Sequence, residues 1–212
     1  MTISKIQCLV TCASQAGDAT ARGIPWIQLR LKNTPDAEWK KVALETQVVC
    51  KGARATFIIN DNPPLAREIG ADGVHLGKQD MPPAEARALL GSDFIIGGTA
   101  NTFADIERLV AAGVDYIGLG PYRFTTTKKN LSPVLGLAGY QQLLAQCRAA
   151  GISVPIIGIG GIVVADVVPL LDLGLHGIAV AGAITQAENP AQATCDFLER
   201  INYQRHPNRN LV

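Results

Sequence analysis

The stretch Gly70-Ala71-Asp72-Gly73-Val74-His75-Leu76 carries the pattern that decides the fold of this chain. A glycine ends a helical segment and the chain turns directly into a short apolar strand, which is typical of a tight αβ turn with glycine in the left-handed conformation. The same pattern recurs at Gly113-Val114-Asp115-Tyr116 and at Gly174-Leu175-His176-Gly177. Its recurrence predicts one βα unit repeated around a ring.

On both sides of this turn, short apolar runs alternate with segments of helical periodicity. Strands are predicted near residues 6–10, 26–29, 56–59, 73–76, 94–96, 116–119, 155–159 and 177–180. Helices are predicted at 14–22, 36–51, 64–69, 83–90, 103–112, 137–150, 163–173 and 191–201. The strands are apolar throughout, which indicates burial on both faces and parallel pairing.

Eight βα units in succession are compatible with a closed barrel or with a doubly wound open sheet. The repeated turn favours the barrel, and the lack of a GxGxxG motif after the first strand weakens the open-sheet alternative. We therefore predict an α/β fold, a single (β/α)8 TIM barrel of parallel strands over residues 1–212. A polar tail at about 205–212 is expected to fray.

Composition and charge narrow the class of protein. The formal net charge is +1, so no overall field attracts nucleic acid or an anionic membrane. No apolar run reaches the roughly 20 residues of a membrane helix, and the five cysteines are scattered without a CxxC pair. We expect a cytoplasmic protein with reduced thiols. It would bind neither nucleic acid nor membrane. The sequence leaves open whether the protein forms a homo-oligomer.

Two aspartates follow neighbouring strands at their carboxyl ends, which is where a (β/α)8 barrel carries its active site. Asp61 follows the third strand and Asp80 comes shortly after the fourth. Two carboxylates with room for water and phosphate oxygens suit Mg²⁺. Either aspartate could instead cap the helix that follows it, near Pro64 or Pro83. The residues alone leave both interpretations open.

Cationic residues lie beyond the second and sixth strands. Arg30, Lys32 and Lys128 follow apolar strands, so a solvent-exposed surface is not the obvious reason for their charges. Their charged groups suit phosphate oxygens. Arg123 and Lys129 are interpreted as solvated loop charges.

Glycines after the last two strands predict a phosphate site. Gly160-Gly161 lets backbone N–H groups approach an anion, and Ala181-Gly182 opens into a short helical segment. The alternative is that these glycines only make tight turns. His75 is interpreted as a hydrogen-bonded structural group rather than a base.

In order and spacing, these motifs resemble the thiamine-phosphate synthase family over nearly the whole chain. The segments that carry the resemblance are Gln28-Leu29-Arg30-x-Lys32, Ile59-Asn60-Asp61, Gly73-Val74-His75-Leu76-Gly77-x-x-Asp80, Gly118-Leu119-Gly120-Pro121, Thr125-Thr126-Thr127-Lys128-Lys129 and Ile159-Gly160-Gly161-Ile162. Each segment alone is weakly specific, whereas their order and spacing together are highly specific.

The resemblance implies a transferase that couples hydroxymethylpyrimidine diphosphate to thiazole phosphate, or to its carboxylated form, and releases diphosphate. It implies Mg²⁺ held by Asp61 and Asp80, with Arg30 and Lys128 as the catalytic charges. The residues implied to bind the pyrimidine diphosphate are Gln28, Leu29, Arg30, Leu31, Lys32, Asn60, Thr99 and Lys128. Those implied to bind the thiazole phosphate are Thr125, Thr126, Thr127, Gly161, Ala181 and Gly182.

Three positions depart from the family pattern. Leu31 stands in place of the usual Glu, and Thr99 and Gly182 each stand in place of a Ser. Thr99 keeps a hydroxyl, whereas Gly182 lacks a side-chain donor, which should weaken phosphate binding. Two other functions stay open, a related thiazole tautomerase and a non-catalytic regulatory barrel that binds phosphorylated metabolites. The combined residues for diphosphate and Mg²⁺ favour the synthase.

Overall fold

A closed barrel of eight parallel strands forms the centre of the molecule. The computed structural model of the chain describes residues 2–125 and 132–205. The strands follow one another around the ring in chain order, and the last pairs with the first, with Ile6 opposite Ile178. They are β1 (Ile6–Val10), β2 (Trp26–Leu29), β3 (Thr56–Asn60), β4 (Gly73–Leu76), β5 (Ile95–Ala100), β6 (Tyr116–Leu119), β7 (Ile156–Ile159) and β8 (Gly177–Val180). The predicted (β/α)8 barrel is confirmed, and the open-sheet alternative is wrong.

Helices surround the barrel and connect successive strands. They are α1 (Ala13–Ala21), α2 (Asp36–Ala53), α3 (Pro63–Ile69), α4 (Pro83–Leu90), α5 (Phe103–Ala111), α6 (Gly136–Ala149), α7 (Val167–Asp172), α8 (Gly182–Thr185) and α9 (Pro190–Arg205). A one-turn 3-10 helix at Val164–Asp166 precedes α7, so the single helix predicted at 163–173 is in fact two short ones. Within the described residues, none of the helices is both long and apolar enough to cross a membrane.

The recurring turn behaves as predicted. Gly70, Gly113 and Gly174 have φ angles of 64°, 72° and 100°, a region that favours glycine. The aspartate after two of these glycines has a role of its own. Asp72 accepts a hydrogen bond of 2.7 Å from the backbone N–H of the first core residue of β3, and Asp115 accepts the same bond from β5. The aspartate of each of these two turns therefore also stabilises the start of the preceding strand.

Strand β5 is longer than predicted, because Gly97 and Gly98 belong to the strand rather than to the loop after it. A Cβ at Gly97 would overlap the ring of Tyr116, and a Cβ at Gly98 would overlap Leu109. These glycines make room for large neighbouring side chains. Thr99 consequently lies within the strand, near its carboxyl end.

The core has two layers. The larger layer lies between the strands and the helices, and the smaller fills the barrel interior with Leu9, Trp26, Ile58, Ile95, Tyr116, Ile157 and Ala179. Because side chains alternate along each strand, residues two positions beyond this interior layer point into the mouth of the barrel.

Candidate active site

A cavity of about 660 Å³ opens at the carboxyl ends of the strands. The structure brings together in its walls most of the residues singled out in the sequence. These are Gln28, Arg30, Lys32, Asn60, Asp61, Asp80, Thr99, Thr125, Gly161, Ala181 and Gly182. Residues that are up to 154 positions apart in sequence, from Gln28 to Gly182, therefore face one space.

Two of the predicted substrate-binding residues lie elsewhere. Leu29 is fully buried in the layer between strands and helices, and Leu31 packs against that same layer. The alternation of side chains sends Gln28, Arg30 and Lys32 to the cavity and the two leucines to the opposite side. The side chains of Leu29 and Leu31 therefore do not line the cavity, and the assignment of these two residues to the pyrimidine diphosphate stays a prediction. Thr126, Thr127, Lys128 and Lys129 lie outside the described residues, as does the tail beyond Arg205.

Both Asp61 and Asp80 line the cavity, and neither of them caps the helix that follows it. Asn62 is the cap of α3 and accepts a bond of 3.0 Å from the backbone N–H of Leu65. Helix α4 begins after Pro82. The capping interpretation of the two aspartates is therefore wrong. Asp61 also has a φ of 63°, an unusual conformation for a residue other than glycine and one that is often found at functional sites.

The two carboxylates interact directly. Burial raises the pKa of Asp80 to about 6, helped by its hydrogen bond to Asp61 and by the charge of that neighbour. Burial acts in the same direction on Asp61, but the hydrogen bonds from Asp80 and Lys32 outweigh it and lower its pKa. The raised pKa of Asp80 reflects two negative charges held close together, an arrangement that a bound cation would stabilise.

The carboxylate pair fits Mg²⁺ better than a metal with an all-protein ligand set. Among residues 2–125 and 132–205, no group of three or more histidine, cysteine and acidic side chains could hold a metal. Mg²⁺ commonly uses one or two carboxylates and takes its other ligands from water and substrate phosphates. Lys32 forms an ion pair with Asp61, and Arg30 lines the same cavity. The donor set therefore suits a metal that arrives with a phosphorylated ligand.

Asn60 supplies a further sign that a ligand belongs here. Its side chain is 4% exposed and lines the cavity, next to His75 on the neighbouring strand. Within the described part of the chain, its Nδ2 finds no hydrogen-bond acceptor. A buried donor without an acceptor is costly, so a ligand acceptor would stabilise it.

His75 has the structural environment predicted for it. Its Nδ1 lies 3.0 Å from the hydroxyl of Tyr116, and its Nε2 lies 3.0 Å from that of Thr99.

The loop after β7 forms the other side of the cavity. Gly160 and Gly161 have φ angles of 96° and 67° and both line the cavity. A Cβ at Gly161 would lie 2.8 Å from the Cβ of Arg123 and 3.0 Å from the carbonyl oxygen of Phe124. The loop after β7 thus packs tightly on the loop after β6, and only glycine fits between them.

Comparison with known proteins decides the family. Residues 3–184 match the sequence profile of a family described as thiamine monophosphate synthase. The chain belongs to this family. The prediction made from its motifs is therefore confirmed, including the prediction of a transferase of thiamine biosynthesis.

Individual relatives agree with this thiamine monophosphate synthase assignment. The chain is 54% identical over 172 residues to a thiamine-phosphate synthase from Bacteroides fragilis, covering 81% of this chain and 84% of that protein. It is also 54% identical to one from Phocaeicola vulgatus, over 81% and 83% of the two chains. A solved structure of a thiamine phosphate pyrophosphorylase from Pyrococcus furiosus superposes with a TM-score of 0.82 at 26% identity, over 93% of this chain and 95% of that one.

Within this synthase-family site, the sequence interpretation missed Arg123, which is not merely a solvated loop charge. Its guanidinium forms a two-pronged ion pair with Asp166, at 2.7 and 2.8 Å. It also donates to the carbonyl oxygen of Gly161, at 2.9 Å. Asp166 in turn accepts a bond of 2.9 Å from the backbone N–H of Val163. Because the partners are 43 residues apart, no local motif could have indicated this connection.

Gln186, Ser132 and Phe124 also line the cavity and were not predicted. Gln186 lies just after α8, and its Oε1 would be 3.1 Å from a Cβ at Gly182. Its side chain therefore lies close to the space that a larger residue at position 182 would need. Its spacing of four residues from Gly182 is that of neighbours on one helix face, but no motif marked it as a residue of the site.

Proposed function

We propose that the chain is a Mg²⁺-dependent thiamine-phosphate synthase, which couples hydroxymethylpyrimidine diphosphate to thiazole phosphate. The observation that carries this proposal is one cavity that combines two neighbouring carboxylates, two cationic side chains and a glycine loop. The first two suit a diphosphate with its metal, and the third suits a monophosphate on the opposite wall. Two phosphorylated substrates therefore have separate places in one space.

The pyrimidine diphosphate belongs on the side formed by β2, β3 and β4. Arg30 and Lys32 would contact the diphosphate. Nδ2 of Asn60, which has no acceptor among the described residues, would donate to a pyrimidine nitrogen. Asp61 and Asp80 would hold Mg²⁺, which when bound neutralises charge on the leaving diphosphate. Lys128 is expected to act on the same diphosphate, an assignment that rests on the sequence, because this residue lies outside the described part of the chain.

The thiazole phosphate belongs against the loops after β7 and β8. Thr125, Gly161, Ala181 and Gly182 line this wall. These loops are the usual phosphate site of the fold. The carboxylated thiazole would use the same place, and its decarboxylation would accompany the coupling.

The reaction we propose needs charge stabilisation and orientation rather than a strong base. The bond between the pyrimidine methylene carbon and the diphosphate oxygen breaks, and the electron pair leaves with the diphosphate. The thiazole nitrogen then donates its lone pair to the resonance-stabilised carbon. Arg30 and Lys32 stabilise the leaving group, and the cavity holds the acceptor in line. This explains why no nucleophile–base pair is needed.

The choice of acceptor tests this proposal. Purified protein would be incubated with Mg²⁺, the pyrimidine diphosphate and either thiazole phosphate or its carboxylated form, and products would be identified by mass spectrometry. We expect thiamine phosphate and diphosphate. Isomerisation of the carboxylated thiazole without coupling would point to the tautomerase instead. Binding of thiazole phosphate without any turnover would point to the regulatory barrel.

A further inference from the structure

A chain of hydrogen bonds crosses the interior of the barrel beneath the cavity. Gln28 Nε2 donates to Gln7 Oε1 at 2.9 Å, and Gln7 Nε2 donates to the hydroxyl of Tyr116 at 3.5 Å. That hydroxyl lies 3.0 Å from His75 Nδ1, and His75 Nε2 lies 3.0 Å from Thr99 Oγ1. The chain therefore begins and ends at side chains that line the cavity.

The middle of this chain is sealed from solvent. Gln7 is 1% exposed and Tyr116 is fully buried. Leu9, two residues after Gln7, and Gly120, four residues after Tyr116, line the cavity. Burial raises the pKa of Tyr116, so its hydroxyl keeps its proton. Such buried groups depend on each other for hydrogen bonds, because water cannot replace a missing partner.

Neighbouring strands provide the space for this arrangement. A Cβ at Gly97 would overlap the ring of Tyr116, and a Cβ at Gly118 would lie 2.9 Å from His75 Cε1. Trp26 packs edge-on against Tyr116, with 4.8 Å between ring centroids. The rings of His75 and Tyr116 are consequently held in one orientation by packing as well as by hydrogen bonds.

With Gln7 Nε2 as the donor to Tyr116, counting protons gives the direction of the remaining bonds. The hydroxyl of Tyr116 accepts from Gln7 and has one proton, which it donates to His75 Nδ1. His75 in its neutral form then carries its proton on Nε2 and donates it to Thr99 Oγ1. Because Thr99 Oγ1 accepts this bond, the hydroxyl proton of Thr99 is available to a ligand in the cavity. At the other end, Gln28 uses Nε2 for Gln7 and retains its Oε1 as an acceptor.

We propose that Gln7 and Tyr116 are positioning residues that set the polarity of the cavity: Thr99 presents a hydroxyl donor and Gln28 an amide oxygen acceptor. This inference rests on the proposed function only for the identity of the ligand. An aminopyrimidine diphosphate has a matching pattern, with an amino group that donates and ring nitrogens and phosphate oxygens that accept. Reversal of the chain would invert both ends and present the opposite pattern.

The protonated nitrogen of His75 gives a direct test without any substrate. The protein would be labelled with ¹⁵N-histidine, and the ring nitrogens would be observed by long-range ¹H–¹⁵N NMR in the wild type and in Tyr116→Phe. We expect the wild type to carry the proton on Nε2, and Tyr116→Phe to show a mixture of the two tautomers. A proton on Nδ1 in the wild type would overturn the direction. An unchanged tautomer in Tyr116→Phe would overturn the positioning role.

Kinetics of two variants provide the second readout. Tyr116→Phe and Gln7→Leu should each lower kcat/KM for the pyrimidine diphosphate about tenfold, the size of one hydrogen bond, while KM for the thiazole phosphate is unchanged. The control is Thr46→Val, which removes a buried hydroxyl bonded to Val42 on α2, outside the barrel interior. It should lower stability without changing either kinetic constant.

The outcomes separate this inference from the proposed function. A wild-type protein that couples nothing would contradict the function, whereas the NMR result would still decide the hydrogen-bond direction. An equal loss in all three variants, or full activity in both interior variants, would contradict the positioning role. If Tyr116→Phe does not fold, Gln7→Leu carries the same comparison.

Discussion

The carboxylates of Asp61 and Asp80 lie side by side after adjacent strands, where each shifts the pKa of the other, while the adjacent helix caps belong to other residues. Two consecutive residues therefore have different roles: Asp61 faces the cavity, whereas Asn62 caps α3. The first prediction uses that difference.

Asp61→Asn should abolish most Mg²⁺-dependent coupling, because it removes one of two negative charges on the proposed cation. Asparagine tolerates the φ of 63° at this position, so the backbone should be kept. The matched control, Asn62→Ala, should lower the free energy of unfolding by about 1 kcal/mol through loss of the cap and retain coupling. Coupling rates at several Mg²⁺ concentrations, with chemical denaturation, make the comparison. Retained coupling in Asp61→Asn at limiting Mg²⁺ would remove the metal role.

Gly161→Ala should raise KM for the thiazole phosphate and destabilise the fold, because a Cβ there would collide with Arg123 and Phe124. Gly70→Ala is the matched control. The φ of Gly70, 64°, is close to the 67° of Gly161. A Cβ at Gly70 would have no atom of the described residues within 4 Å. Both variants should lose about 1 kcal/mol from backbone strain. Only Gly161→Ala should lose affinity, measured by titration calorimetry with thiazole phosphate. Equal affinities in the two variants would argue against a phosphate site in this loop.

Asp166→Asn should raise KM for the thiazole phosphate several-fold more than KM for the pyrimidine diphosphate. The carboxylate holds Arg123, which joins the loops after β6 and β7 beside Gly161. Arg87→Ala removes another arginine–aspartate pair, with Asp115 at the opposite end of the barrel, and should leave both constants unchanged. Steady-state kinetics with each substrate varied in turn measure the ratio. A matching rise of both constants in Asp166→Asn would indicate general loosening instead.

The stability of the fold should fall in acid partly through Asp105. Burial opposes ionisation of this residue, but bonds from Lys78, Asn101 and Thr102 outweigh it and lower its pKa to about 2, from 3.8. A lowered pKa in the folded state stabilises the fold above pH 3.8, and this contribution is lost as pH falls toward 2. Asp105→Asn should therefore be less stable than wild type by about 1–2 kcal/mol at neutral pH. Urea unfolding between pH 6 and about 2 should show the difference shrinking. A constant difference across that range would contradict the assignment.

Much of the fold was predictable because it depends on local patterns. Apolar strands, helical periodicity and the repeated glycine turn each act within a few residues, and they fixed the barrel and nearly every element. The errors lie where packing overrides a local signal. Gly97 and Gly98 indicated a loop, yet they lie inside β5 because Tyr116 and Leu109 occupy the space of their side chains.

The candidate site was predictable where polar residues directly follow strands. Asp61, Asp80 and Asn60 were found in this way, and the structure places all three at one cavity. Leu29 and Leu31 were included because their neighbours belong to the motif, although alternation along β2 directs them away. Arg123–Asp166 and Gln7–Tyr116 join distant segments, so only the folded chain brings them together.

The Mg²⁺ dependence of coupling tests the central claim most directly. Wild-type protein would be mixed with hydroxymethylpyrimidine diphosphate and thiazole phosphate in Mg²⁺ or in EDTA, and thiamine phosphate would be measured by its oxidation to fluorescent thiochrome. We predict product with Mg²⁺ and essentially none with EDTA, with activity restored when Mg²⁺ is returned in excess. Equal product in EDTA, or none from folded protein with Mg²⁺ and both substrates, would contradict a metal-dependent synthase.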